Sequence, residues 1–277
     1  MNIFEQTTPE MKLLKMQLRE TWIAGDFGRI AKTTSGDAEE FIARLNLEPG
    51  TRVLDIGCGS GNLAVPAARS GAIVTGIDIA PNLLEEAGHR AAAEDLEIRF
   101  VEGDAERLPF EDNSFDVVVS MFGAMFAPRT DRAITELFRV CRAGGLIAMA
   151  NWTLQGFIGQ LYKIAGAYLP APQNHLTPFL WGDMGRLAPL FGEAVTDFKC
   201  RRRETLLKFP FGAQKTVEYW SAHYGPTRRV FETIEEAQRA VLLHDMEWLF
   251  SANDVSGTDG DTLIKAEYLE VMATLRN

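Results

Sequence analysis

The residues whose types and spacing could do chemistry are carboxylates set beside glycines. Asp55 precedes Gly57, Gly59 and Gly61 in the run Val53-Leu54-Asp55-Ile56-Gly57-Cys58-Gly59-Ser60-Gly61. Asp78 closes Ala72-Ile73-Val74-Thr75-Gly76-Ile77-Asp78, and Asp104 follows Gly103. Glycines on alternate positions add no side chain to a core and cost backbone entropy wherever they are ordered, so something has to approach that backbone closely. In a strand-loop-helix unit the usual visitor is a nucleotide-bearing ligand, set against the helix N-terminus at the carboxyl end of the strand. Taken alone, the loop also fits a glycine turn with no ligand. Asp78 strengthens the first account, because it lies roughly 20 residues past the glycines, where a carboxylate bonds ribose hydroxyls. The two together point to an adenosine-type ligand. Asn62 stands where a dinucleotide fingerprint needs its last glycine. Asp55 would repel a pyrophosphate but suits a ligand carrying an ammonium group. S-adenosylmethionine has such a group, and a sulfonium besides.

At this point the chain resembles the class I S-adenosylmethionine-dependent methyltransferases, and within them the small-molecule, methyltransferase-type-11 kind related to the quinone-biosynthesis methyltransferases. The matching text is the glycine run itself, Gly76-Ile77-Asp78, Gly103-Asp104-Ala105-Glu106-Arg107-Leu108-Pro109-Phe110, Phe115-Asp116-Val117-Val118-Val119-Ser120 and Arg142-Ala143-Gly144-Gly145. These fall in family order, with family spacings, across Thr51 to Asn151. The resemblance implies an α/β fold, a Rossmann-like seven-stranded methyltransferase sheet of order 3-2-1-4-5-7-6 with the last strand antiparallel, helices on both faces and a helical cap. It implies S-adenosylmethionine as cofactor and S-adenosylhomocysteine as product. The cofactor-binding positions it marks are Asp55, Gly57, Cys58, Gly59, Asp78, Ile79, Leu83, Asp104, Ala105, Ser120 and Phe122. Asp104 is placed against the adenine, whose exocyclic amine offers N–H donors to a carboxylate acceptor. In this family the N-terminal helices lie over the cofactor, which makes Trp22 and Phe27 candidate lid residues; the plainer account puts them in the core.

The end of the fourth strand, Ser120 to Pro128, should face both cofactor and acceptor, since open parallel sheets bind at the carboxyl edge of their strands. Many methyltransferases acting on amines or amides carry Asn-Pro-Pro-Tyr or a similar polar signature there; this chain has methionine and phenylalanine, which suggests an apolar acceptor pocket. The candidate acceptor-binding residues are Trp22, Met125, Phe126, Trp152 and His175. Methyl transfer from a sulfonium is an in-line displacement with a good leaving group already attached, so the main work is bringing acceptor and methyl together and excluding water. A base is needed only for a poorly ionised oxygen or nitrogen acid. His175 and His223 fall in expected cap segments, but neither is assigned as a catalytic residue. No metal-ligand cluster is visible. A nicotinamide-dependent oxidoreductase is disfavoured by Asn62 and Asp55, while a non-catalytic S-adenosylmethionine-binding protein fits the motifs equally well and differs only in turnover.

A formal net charge of −10 over 277 residues argues against nucleic acid or an anionic membrane surface as the main partner. The expected partner is a small-molecule methyl acceptor, and the expected state a monomer or homodimer. Cys58, Cys141 and Cys200 match no disulfide or metal spacing, so the reading is a reduced, cytoplasmic setting. Met1 to Leu18 lacks the pattern of a signal peptide, and no apolar run approaches the roughly 20 residues of a membrane span.

The elements that must position these residues follow from periodicity and turn signals. Helices are expected over Met11–Ala24, from Asp26 to Ala31 and over Asp37–Leu45, forming a lid over 1–48. A core over 49–152 holds strands Val53–Ile56, Ala72–Asp78, Glu97–Glu102, Phe115–Met121 and Leu146–Asn151. Its helices are Asn62–Arg69, one from Pro81 to about Glu94, and Thr130–Cys141. A cap insertion over 153–192 comprises a helix Gln155–Tyr168 and a loop rich in proline and aromatics, Pro170–Gly182. Residues 193–277 complete the sheet with Val195–Lys208 and Glu267–Leu275, around a helical insertion at about 210–260 read as Thr216–Tyr224 and Ile234–Phe250. The triplet Arg201-Arg202-Arg203 reads as solvated edge charge.

Overall fold

The computed structural model describes residues 8–168 and 178–277. Its centre is a row of short apolar strands, β1 (Arg52–Ile56), β2 (Ile73–Asp78), β3 (Ile98–Glu102) and β4 (Phe115–Met121), all parallel to their neighbours. Runs such as Val53-Leu54 and Val117-Val118-Val119 are buried on both faces, which is what helices packed on each side of a parallel sheet require. β5 (Cys141–Trp152) continues the parallel row beside β4. β6 (Val195–Phe209) and β7 (Thr262–Leu275) then form a long antiparallel ribbon, with β7 inserted between β5 and β6. The seven-stranded order β3-β2-β1-β4-β5-β7-β6 is the expected one.

From β1 the sheet builds outward through β2 and β3 on one side, and the chain then returns to place β4 on the other. Ligands sit in the crevice such a reversal leaves between the carboxyl ends of two strands. Over that crevice lie α1 (Pro9–Ala24) and α2 (Phe27–Ala31), while α3 (Ser35–Leu45) packs against the helix that follows the first loop. α1 starts at a proline whose missing N–H costs nothing there, with the Thr8 hydroxyl accepting from Met11 N–H. α1 buries no residue completely. α4 (Ala64–Arg69), α5 (Pro81–Ala92) and α6 (Thr130–Val140) cover the sheet. α7 (Phe157–Gly166) and α8 (Met184–Phe191) follow β5, while α9 (Ala213–His223), α10 (Gly225–Thr233) and α11 (Glu236–Asn253) fill the connection between β6 and β7. The packed interior of this half centres on Trp220, Phe250 and Tyr268, each almost wholly buried.

Several expected boundaries move, for identifiable reasons. The helix after the glycine loop begins at Ala64 rather than Asn62, because Gly61 at φ 84° still belongs to the turn. β5 starts at Cys141, so α6 is shorter than expected and Gly144, at φ 68°, lies inside an irregular extended stretch. α10 was not foreseen: Pro226 in its first turn starts a helix where proline reads as a break. Arg203 is no solvated edge charge, since its Nε lies 2.8 Å from the carboxylate of Glu270, a β7 residue only 4% exposed. Arg44 reaches the same carboxylate from α3 at 2.6 Å, tying the helical layer to the ribbon.

Candidate functional site

Three successive loops at the carboxyl edge of the sheet build the site. Leaving β1, the backbone passes through Gly57 at φ 66° and Gly59 at φ 50°, conformations that side chains disfavour. Gly57 also faces Gly123 across the reversal: a Cβ on Gly123 would lie 2.5 Å from the Gly57 carbonyl oxygen. Ser120 holds this junction together, its hydroxyl donating to the Ile56 carbonyl at 2.6 Å and accepting from Ala124 N–H at 2.9 Å.

Asp78 ends β2 with its carboxylate turned back to the first loop. It accepts from Gly59 N–H at 2.8 Å and Ala80 N–H at 2.9 Å. Burial raises its pKa, opposed by these backbone donors. Asp55 lies deeper, 1% exposed, with one carboxylate oxygen lacking any hydrogen-bond partner. Burial first, and the Asp78 charge second, push its pKa up to about 8, against a hydrogen bond from Ala64 N–H. Asp104, beyond β3, accepts from Glu106 N–H at 2.9 Å and pairs with Lys15 of α1. The Cys58 thiol, 6% exposed, is pushed up by burial and by Asp55 and Asp78, so it stays a neutral packing group.

These loops and α1 enclose a cavity of about 1020 Å³, counting its open mouth. Its walls bring together many of the sequence-marked positions. Gly57, Cys58, Gly59, Asp78, Ile79, Leu83, Asp104, Ala105, Phe122, Trp22 and Phe126 all line it. Phe27 joins them on the lid side. Four positions are corrected. Asp55 is a buried support beneath the loop, and Ser120 is consumed by its two backbone bonds. Met125 is 1% exposed within the core. Trp152 stands behind Phe122, the rings stacked at 3.5 Å and 7°, so it backs the wall without lining the cavity. His175 lies outside the described residues.

Phe122 itself adopts φ 56°, an uncommon backbone for an aromatic, held by its N–H bond to the Ala150 carbonyl at 2.9 Å. Sequence reasoning missed Lys15, Thr34 and Asn62 among the lining residues. Lys15 was within reach of it, because Lys15, Leu18 and Trp22 fall at i, i+3 and i+7, one face of the expected helix. Asn62 was read only as a departure from a dinucleotide fingerprint; its side chain donates to the Ala31 carbonyl at 2.8 Å and so fastens α2 to the loop. Behind Trp22 and Phe126, Tyr162 and Tyr224 meet hydroxyl to hydroxyl at 3.2 Å. Burial raises both phenols, so neither supplies a phenolate at neutral pH.

A family model described as a methyltransferase domain matches residues 54–149. An uncharacterized protein of Mycobacterium tuberculosis, Rv1405c, is 37% identical over 231 residues, 83% of this chain and 84% of its own length. The malonyl-[acyl-carrier protein] O-methyltransferase of Pectobacterium atrosepticum is 34% identical over 128 residues, 46% of this chain and 49% of that one. Among solved structures, the YcgJ protein of Bacillus subtilis superposes with a TM-score of 0.60 at 16% identity, covering 87% of this chain and 98% of its own. With the strand order, the glycine loop and the cavity in place, this chain belongs to the class I S-adenosylmethionine-dependent methyltransferases.

Proposed function

We propose that the chain transfers a methyl group from S-adenosylmethionine to a small apolar or aromatic acceptor. The observation that carries this reading is the make-up of the cavity wall. Asp78 and Asp104, at the ends of β2 and β3, are the carboxylates on it, and Trp22, Phe27, Met121, Phe126 and Pro128, from α1, α2 and the end of β4 with the turn after it, supply apolar surface.

The carboxylates of this wall are the acceptors the cofactor needs. Asp78 keeps lone pairs for ribose hydroxyls after accepting its two backbone bonds, since a carboxylate has about four acceptor sites. Asp104 offers an acceptor to an adenine amine, and the side-chain-free path at Gly57 and Gly59 leaves room for close approach. Asp55, which burial and the Asp78 charge keep protonated at neutral pH, supports the loop from below without adding charge to it. When bound, the cofactor supplies an electrophilic methyl on a sulfonium, and its displacement by the acceptor's electron pair leaves neutral S-adenosylhomocysteine. The protein's share is positional. Trp22 and Phe126, whose rings meet edge-on at 5.0 Å, and Phe27, 5.5 Å from Trp22, wall the acceptor against the loop and keep water out. Among the described residues no histidine lines this cavity, which suits an acceptor whose reacting atom is nucleophilic without a base.

Calorimetry with S-adenosylmethionine and S-adenosylhomocysteine tests the first half of the reading, and failure to bind either one would end it. Incubation of a small-metabolite extract with methyl-labelled cofactor tests the second: label should move into an apolar or aromatic product. Binding without any transfer would make the chain a cofactor-binding protein and not an enzyme.

A further inference from the structure

α1 is an unusual roof for a ligand site, because it contributes no fully buried residue to the core. It is held at two places by different means. Its C-terminal end is tied to α10, where Arg228 donates to the Ala24 carbonyl at 2.7 Å, and Trp22 packs edge-on against Tyr224 at 6.0 Å. Its middle is held by charge. Lys15, which lines the cavity, and Arg19 lie one turn apart, and Arg19 grips a single Glu102 oxygen through Nε and Nη2 at 3.0 and 2.8 Å.

Lys15 is the more buried of the two, its side chain 16% exposed. Its ammonium bridges the carboxylates of Asp104 and Glu106. The Glu106 side chain is wholly buried and also accepts from Arg129, through the backbone N–H at 2.6 Å and Nε at 2.7 Å. Two carboxylates and two cations therefore close a compact, charge-balanced cluster, and one of those carboxylates faces the cavity. Removing Lys15 leaves Asp104 and Glu106 repelling each other beneath a helix that has lost its deepest polar anchor. Because a buried ion partner is costly to strand, the helix and the carboxylates are held in place together.

We propose that Lys15 is a positioning residue that latches α1 over the nucleoside end of the cavity. By fixing the Asp104 carboxylate and the helix with one ammonium, it makes retention of the nucleoside and closure of α1 a single coupled event. The inference rests on the cofactor reading above for its ligand, but the latch exists in the ligand-free chain and can be tested there.

The experiment compares the full chain with Lys15→Met and Lys15→Arg, using S-adenosylhomocysteine as the probe. Amide hydrogen exchange over residues 8–24 is recorded with and without the probe, and the dissociation rate is measured by stopped flow at low and high salt. The wild type is expected to exchange slowly over α1, and more slowly with the probe bound. Lys15→Met should expose those amides at least tenfold faster in the ligand-free state and release the probe about tenfold faster, with little remaining salt dependence. Lys15→Arg, which keeps the charge, should recover most of both. Thermal melting separates a loosened helix from a misfolded chain, since the core lies elsewhere. Unchanged exchange over α1 in ligand-free Lys15→Met would overturn the latch whatever the probe does. A loosened helix with an unchanged release rate would overturn the coupling. A wild type that binds no probe would instead sink the cofactor reading, leaving the exchange result to judge the latch alone.

Discussion

Replacing Asp55 by asparagine should change how stability depends on pH, and the structure fixes the sign and sets a ceiling on the size. Folding moves this carboxyl from an ordinary pKa of 3.8 to about 8, first through burial and then through the Asp78 charge. Between those values the folded chain holds a proton that the unfolded chain has released. The contribution is therefore fully present below about pH 3.8 and is lost progressively as pH climbs towards 8. An interval of about 4 pH units at about 1.36 kcal/mol each sets a ceiling of roughly 6 kcal/mol. Relaxation and water entry in real interiors, equivalent to an effective dielectric nearer 20 than 4, bring this down to about 2 kcal/mol. Asparagine has no ionisation to lose. Its amide introduces a buried donor that costs about 1–3 kcal/mol if unpaired, but that cost is the same at every pH, so slope is the diagnostic and offset is not. Urea denaturation of cofactor-free protein at a series of pH values from about 4.5 to 8.5 measures it. The variant should gain on the wild type by about 2 kcal/mol across that range. A difference that stays flat with pH would refute the account of Asp55 as a carboxyl that folding keeps protonated.

Asp78→Ala should weaken S-adenosylmethionine and S-adenosylhomocysteine alike, by roughly 10- to 100-fold, because hydrogen bonds to a charged acceptor are worth about 1.5–3 kcal/mol; unchanged affinity by calorimetry would exclude the ribose assignment. Gly123→Ala drives a Cβ to within 2.5 Å of the Gly57 carbonyl oxygen, and only backbone lies in the way. It should cost about 1–3 kcal/mol of stability in chemical denaturation and weaken cofactor binding with it. Trp22→Ala removes the ring that touches both Phe27 and Phe126, so the acceptor KM should rise about tenfold while S-adenosylhomocysteine affinity moves by less than threefold. Equal losses in both would place Trp22 over the cofactor instead of the acceptor.

The part of the cavity wall built from strand ends was legible because it is local in sequence. Gly57, Gly59, Asp78, Ile79, Asp104 and Ala105 belong to consecutive strand ends and the loops after them, each following an apolar run, and a parallel sheet sets such loops side by side. Asp55 deceived for the same reason. Its type and place mark a ligand contact, but strand alternation turns it beneath the loop, next to Asp78 and away from the cavity. Ser120 and Met125 were misplaced by the same step, from nearness in sequence to nearness in space: a hydroxyl at a strand end answers to whichever backbone groups are left unpaired, here Ile56 O and Ala124 N. Arg203 was hidden because its partner, Glu270, lies 67 residues away on a strand whose register no local pattern dictates.

The apolar side chains of the wall come from far-apart segments. Trp22 comes from α1, Phe27 from α2 and Phe126 from the turn after β4, and behind them stand Tyr162 of α7 and Tyr224 at the start of α10. All five rings form one cluster of edge-to-face and tilted pairs, with neighbouring centroids 5.0–6.4 Å apart. The sheet would be complete without any of the helices that supply them. The physical consequence is a separation of constraints. Changes at Gly57 or Asp78 disturb backbone geometry that the strand crossing depends on, whereas changes at Trp22 or Phe27 alter the cavity wall, and changes at Tyr162 or Tyr224 alter what backs it, while leaving the strand ladder alone. If the proposed acceptor reading holds, substitutions that redirect acceptor choice are expected on α1 and α2, with those on α7 and α10 acting from behind.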